Sequence, residues 1–337
     1  MQEAAMPNDL RCMSARVGKN ILLVQGAGGN SSVKFGDVLW VKASGTWLAD
    51  AEDKDIFVPI SLSGARAALA HGDERMPLAP GVETGLRASI ETSLHALLPQ
   101  PVVLHVHSVN TIAWSVRTDA DEELAARLHG LAWRALDYHH PGLPLAHAVR
   151  ESAREPIDVL ILGNHGLVVG AASCEAAEAL VMEVEQRLAL PPRDAAPADD
   201  SALRRICDGT DYRLPNDPFC HVTATDPHSL AVATTGSLYP DHVVFLGPAM
   251  PILTRGEDLA AKAALTVPPP VALLVPGRGA LIRGDTSPGA EAMLSCLALV
   301  TSRLPRDAKI KYLSRHNEQA LLNWDAEHYR QQMTASR

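Results

Sequence analysis

The run Val102-Val103-Leu104-His105-Val106-His107 sets two imidazoles at alternate positions of an apolar stretch. In a strand, residues i and i+2 point to the same face, so both rings enter one volume. Burying two imidazoles costs free energy unless something takes up their lone pairs. A divalent metal ion does so well; a pair of ordinary histidines is the other reading. A third histidine, His165, stands in Gly163-Asn164-His165-Gly166, a turn between two apolar runs from which a side chain can project. Three imidazoles from two strand ends make the shell of a catalytic zinc site with one position open. Neutral imidazole also suits Mn2+, Co2+ and Fe2+, so the residues define a site more closely than they define its ion. Shortly before the strand comes Ser89-Ile90-Glu91-Thr92-Ser93-Leu94-His95. Glu91 reads as a fourth ligand, as a general base for a carbon-bound proton, or as an exposed helix acid.

Two further stretches could receive an anion. Gly26-Ala27-Gly28-Gly29-Asn30-Ser31-Ser32 lacks the GxGxxG spacing of a dinucleotide loop and the terminal lysine of a nucleotide phosphate loop. Its small residues still let backbone N–H groups approach an anion, with Asn and Ser adding donors. Lys42-Ala43-Ser44-Gly45-Thr46 offers more donors and a cation. Each alone is compatible with a plain turn, and together they read as an oxyanion or phosphate cradle.

The surrounding elements follow from pattern. Residues 21–60 alternate apolar runs with Gly/Asn/Ser turns, which predicts short strands and tight loops. Helices are predicted at 65–70, 89–98 and 125–136, a strand at 102–107, two strands around a turn in 159–170, and an amphipathic helix over 174–188. The Pro/Ala/Asp-rich stretch LPPRDAAPADDS has no periodicity and reads as a linker. It divides the chain into a catalytic domain, 1–190, a linker, 191–202, and a second domain, 203–337. Past the linker, ALLVPGRGALIR followed by TSPGAEAM repeats VLILGNHGLVVG followed by SCEAAEAL. The alignment pairs Leu160 with Leu273, Gly166 with Gly279, Ala177 with Ala290 and Glu178 with Glu291. Upstream, YPDHVVFLGP resembles LPQPVVLHVH. These matches predict a second, degenerate copy of the first domain. His105, His107 and His165 would correspond there to Leu246, Pro248 and Arg278, so the copy would keep the scaffold without the chemistry. The tail from Lys309 to Gln332 reads as a docking helix for the core or for a neighbour, and Arg278 and Arg283 could grip an anion or lie exposed.

Composition limits the classes of function. The 337 residues are 47% hydrophobic and 20% charged, enough for ample core. A net charge of −9 argues against nucleic-acid binding, which needs a concentrated cationic surface, and leaves room for a small anionic substrate in a local positive pocket. Five scattered cysteines without a Cys-x-x-Cys pair suit a reducing compartment. The first residues lack the apolar core of a signal peptide, and no apolar run approaches the roughly 20 residues of a membrane span. A cytoplasmic protein without membrane partners is expected.

In order along the chain, GGNSSVKF, KASGTWL, SIETSLH, LHVHS and LGNHGLVVG resemble the class II aldolase/adducin family, over roughly residues 15–190. The resemblance implies an α/β fold, three-layer α/β/α with a central, largely antiparallel sheet, in a homo-oligomer (tetramer or dimer). It implies that His105, His107 and His165 hold Zn2+ and that Glu91 is the acid/base. It also implies that Gly29, Asn30, Ser44, Gly45 and Ser89 contact the anionic end of a sugar-phosphate or sugar-acid substrate. One position departs: sugar-phosphate aldolases carry a second serine directly before the glutamate, where this chain has Ile90. The longer chain looks most like the aldolase part of rhamnulose-phosphate aldolase/dehydrogenase fusions. The reaction expected is metal-dependent carbon–carbon cleavage through a stabilised enediolate, with Tyr138, His139 and His140 as candidates to protonate the aldehyde-side oxygen. Decarboxylation or epimerisation in the same centre is the alternative. A non-catalytic, adducin-like interaction protein would have lost the three histidines and Glu91, all of which stand.

Overall fold

The computed structural model describes residues 6–152 and 157–335. In the first half, seven strands form one mixed sheet. They are β1 (Asn30–Phe35), β2 (Val38–Lys42), β3 (Phe57–Ser61), β4 (Val102–Val106), β5 (Trp133–Leu136), β6 (Val159–Leu162) and β7 (Gly166–Ala171). Their order is β3-β2-β1-β4-β7-β6-β5, antiparallel throughout except for the parallel pair β5–β6. The helices of this half are α1 (Asn8–Gly18), α2 (Leu62–His71), α3 (Thr92–Leu97), α4 (Val109–Ser115), α5 (Asp121–Arg127), α6 (Leu143–Ser152) and α7 (Cys174–Leu188).

The alternation along β4 builds the layers. Val102, Leu104 and Val106 pack with Met13 of α1, Trp114 of α4, Leu124 of α5 and Val181 of α7 on one face. Val103 packs with Leu94, Leu145 and Val149 of α3 and α6 on the other. A strand buried on both faces reads as a continuous apolar run, as this one does. His105 and His107 share the parity of Val103 and therefore face the layer of α3, at whose start Glu91 stands.

The second half contains α8 (Asp200–Cys207), β8 (Tyr212–Arg213), α9 (Val222–Thr225), α10 (Pro227–Thr235), α11 (Pro240–Leu246), α12 (Leu259–Ala263), β9 (Ala272–Val275), β10 (Gly279–Arg283), α13 (Pro288–Thr301), α14 (Arg315–Leu322) and α15 (Asp325–Ala335). Its three strands form a separate sheet in the order β8-β10-β9. Val109 and Ile112 of α4 and Val116 just past its end join one apolar core with Val243, Leu294 and Leu297. Among the described residues, no helix is long and apolar enough to cross a membrane.

Three expectations are corrected. Residues 240–246 form α11 rather than a strand, and all seven are buried. A short apolar run buried on every side carries no periodicity that separates helix from strand, and Pro240 at the first helical position favours the helix. The structure therefore supports a repeated unit of hairpin plus helix, β6–β7–α7 and β9–β10–α13, and does not confirm a second copy of the whole fold. The helix expected over 125–136 ends at Arg127, and 133–136 form the edge strand β5. Gly130 at φ 85° breaks the helix there. The stretch expected as a linker carries no helix or strand before α8, and Arg193 within it pairs with Asp226 and donates to the Thr301 carbonyl at 2.9 Å. The tail forms two helices, and the second of them reaches the pocket that His107 and His165 line.

Candidate metal centre and active site

The three imidazoles converge. Their ring centroids lie 5.0, 4.9 and 5.2 Å apart, and one nitrogen from each falls within 4.8 Å of the others. All three are buried. His105 projects from β4, and His107 lies one residue past that strand's end. His165 comes from the β6–β7 turn, where Asn164 takes the left-handed conformation at φ 53° that Asn tolerates better than most residues. Nδ1 of His105 donates to the Leu167 carbonyl at 3.0 Å, which leaves Nε2 with the lone pair. Among the described residues that Nε2, Nδ1 of His165 and Oε1 of Glu91 are buried without a hydrogen-bond partner. Buried polar atoms are almost always satisfied, and Nε2 of His105 lies beside the Glu91 carboxylate, so these orphans indicate a missing partner there. A divalent ion fits this donor set.

Glu91 stands against the triad. Its Oε2 is 3.3 Å from Nε2 of His105 and its Oε1 is 3.6 Å from Nε2 of His165. Burial pushes its carboxyl up, but the adjacent His105 and His165 and a 2.9 Å hydrogen bond from Asn30 outweigh that and bring it down to about 2. It is ionised at neutral pH. Burial pushes His165 down to about 3 and lowers His105 as well, so both rings are in the neutral form that binds metal. His95 is also fully buried and faces away from the triad. Its Nδ1 accepts from Ser32 Oγ at 2.7 Å and its Nε2 donates to Oδ1 of Asn30. That orientation turns the Asn30 amide toward Ser89 Oγ, 3.2 Å away, and toward Glu91.

Beside the three histidines lies a small cavity of about 30 Å³, lined by Gly29, Asn30, Lys42, Ser44, Gly45, Ser89, Ile90, Glu91, His107 and His165. All five residues expected to meet the anion are on its wall. Lys42 is buried with them; its Nζ donates to the Ala27 carbonyl at 3.1 Å, and burial, reinforced by nearby Arg330, lowers it to about 7. Tyr138 is not on this wall. Its hydroxyl is buried without a hydrogen-bond partner among the described residues, the ring packs against the second half's core, and burial raises its pKa. His140 packs against Trp324 instead of entering the cavity.

Sequence reasoning missed the other wall. Pro240 and Asp241 of α11 and Glu327 and Arg330 of α15 close the cavity from the second half. Gly45 at φ 77° lies so close to α15 that a Cβ there would meet the Met333 side chain and sit 3.2 Å from the Arg330 carbonyl. A volume of about 30 Å³ holds about two water molecules.

Comparison with known proteins places the chain. A curated relative, the protein named uncharacterized oxidoreductase YuxG in Bacillus subtilis (strain 168), is 27% identical over 194 residues. The match spans 50% of this chain and 28% of that protein, so the chain covers less than a third of the relative's length. The N-terminal class II aldolase domain of a conserved protein from Thermoplasma acidophilum is 25% identical, with a TM-score of 0.48, over 56% of this chain and 94% of that one. YgbL from Klebsiella pneumoniae is 19% identical, with a TM-score of 0.42, over 54% of this chain and 87% of that one. The family model for the class II aldolase and adducin N-terminal domain matches residues 13–190. On that match, which covers more than half its length, the chain belongs to the class II aldolase and adducin family.

Proposed function

We propose that the protein is a metal-dependent carbon–carbon lyase, an aldolase acting on a small hydroxy-keto compound with an anionic end. The observation that carries this reading is the meeting of three buried imidazoles with the carboxylate of Glu91. A divalent ion held by His105, His107 and His165, with Zn2+ the first choice, would supply a Lewis acid for the negative charge that develops as the bond breaks. Glu91 handles the proton. In the direction of bond formation its carboxylate removes a proton from the carbon next to the carbonyl; in cleavage the same carboxyl returns it. Asn30 holds that carboxylate in place through the 2.9 Å bond. Asn30, Ser44 and Ser89, with Lys42 behind them, receive the anionic end, and binding energy from that remote group orients the reacting bond.

A second reading, decarboxylation or epimerisation of a sugar acid in the same centre, is favoured by the cradle. Ile90 stands where sugar-phosphate aldolases carry a second serine, and Gly45 is covered by α15. Both features leave fewer donors and less room for a phosphate than for a carboxylate. A homo-oligomer in the cytoplasm is part of this proposal, and sedimentation would establish the assembly.

The test combines elemental analysis with paired retro-aldol and decarboxylation assays over sugar acids and sugar phosphates. Glu91→Gln is expected to keep its metal while turnover falls by about 10²–10⁴-fold and solvent deuterium no longer enters the ketone product. Metal loss in that variant would make Glu91 a ligand instead of a proton carrier.

A further inference from the structure

Three charged side chains of the second half are buried against the metal pocket, outside the residues matched to the family. Asp241, in the first turn of α11, brings Oδ2 to 3.0 Å from Nδ1 of His107. Arg330 of α15 clamps the same carboxylate with both Nη atoms, at 2.6 and 2.8 Å, and Glu327 one turn earlier is 3.3 Å from Arg330. Asp241 is 2% exposed, and an isolated carboxylate at that depth would be strongly destabilising.

We propose that Asp241 is a positioning residue of the metal centre. It accepts the Nδ1 proton of His107, fixes that imidazole with the lone pair on Nε2, and is itself held in place by Arg330. The logic is one of donors and acceptors. Both oxygens of Asp241 already accept from Arg330, so the 3.0 Å contact with Nδ1 of His107 is a further bond to an acceptor and places the proton on that nitrogen. His105 obeys the same rule through the Leu167 carbonyl. A carboxylate in this place does more than a carbonyl: it orients the ring and raises its basicity toward the metal. The turn of His165 is braced from the same half, because Nδ2 of Asn164 donates to the Leu238 carbonyl at 2.8 Å and the Lys311 carbonyl at 2.7 Å. Two of the three presumptive ligands are thereby supported by residues from beyond position 200, and the second half is part of the metal centre rather than an appendage to it.

This inference rests on the metal reading above but not on the reaction, so its readouts are metal affinity and proton position. Asp241→Asn in the full chain is expected to weaken Zn2+ and Co2+ about 10–100-fold in competition with a chelator. Its unfolding transition without metal should stay cooperative. Arg330→Met, which leaves Asp241 beside His107 but removes the clamp, should weaken metal by a smaller factor in the same direction. In Zn2+-loaded wild-type protein labelled with 15N-histidine, His107 should carry its proton on Nδ1. That measurement needs no variant and decides the question even where a substitution fails to fold. Coordination through Nδ1, or unchanged metal affinity in a folded Asp241→Asn chain, overturns the proposal. A chain that binds metal in an Asp241-dependent way but cleaves none of the assayed compounds sinks the aldolase reading and leaves this one standing; wild-type protein that binds no divalent ion sinks both.

Discussion

The hairpin-and-helix units β6–β7–α7 and β9–β10–α13 are built alike and end in different surroundings. Both hairpins pair antiparallel, and both helices begin behind a capping serine, Ser173 and Ser287. Both turns use a left-handed residue at the equivalent position, Asn164 at φ 53° and Gly277 at φ 69°. The first unit lies in a seven-stranded sheet whose turn is covered by the second half, so His165 is only 5% exposed. The second lies in a three-stranded sheet, with Pro276 and Gly277 exposed and Arg278 half-buried. Alternation and turn chemistry are enough to make the unit twice. Whether its turn carries a reactive group depends on what covers it.

The largest test of that contrast is a pair of substitutions at matched depths of commitment. His107→Ala should abolish metal retention and reduce activity to background while the chain stays folded, since its backbone and the packing of β4 are untouched. Arg278→Ala, at the position equivalent to His165, should change stability by no more than about 0.5 kcal/mol and leave metal content unchanged. Metal stoichiometry and circular dichroism on both variants settle it; a metal-replete His107→Ala chain would move the centre elsewhere.

What sequence made legible was local. The two alternate histidines, the turn histidine, the Gly-Asn-Ser stretch and Ser89/Glu91 each announce themselves within a few residues, and the structure sets all of them around one centre. Asp241, Glu327 and Arg330 were not legible, because their placement depends on how α11 and α15 pack over the first half. Asp241 was further hidden in a run whose Val243-Val244-Phe245-Leu246 reads equally as a buried strand. Tyr138 is the expected site residue that stands off this wall, because packing directs its ring against the second half's core.

A smaller effect separates the two halves by pH. Burial pushes His95 and His165 down to about 3, and His242 of α11 down to about 4. Their ordinary value is about 6.5, so below that pH the unfolded chain binds protons that the folded chain refuses. Stability is complete above pH 6.5 and is lost as pH falls, until it levels off near 3 for the first-half pair and near 4 for His242. Each group contributes a slope of about 1.4 kcal/mol per pH unit within its window. Metal-free protein titrated with urea from pH 7 to 4 should show this, and His95→Gln should remove about one group's share of the slope. An unchanged slope in that variant would mean that His95 is protonated in the folded state, with both ring nitrogens donating, to Ser32 Oγ and to Oδ1 of Asn30.

The smallest effect lies at the two turns themselves. Asn164→Gly keeps the left-handed backbone, which glycine adopts freely, and deletes two hydrogen bonds to buried carbonyls of the second half. Leaving those acceptors without their donor costs about 1–3 kcal/mol, set against a small backbone gain or loss, so a net destabilisation of about 1–2 kcal/mol is expected. Metal affinity should fall with it, because the turn that presents His165 is no longer pinned. Gly277→Asn is the reverse substitution in the other unit, and no heavy atom lies within 4 Å of where its Cβ would stand. With no carbonyl to reach, an asparagine there should shift stability by less than about 0.5 kcal/mol. If both substitutions prove equally silent in urea titrations, the brace from the second half contributes nothing to the His165 turn, and the two units differ only in the side chain they carry.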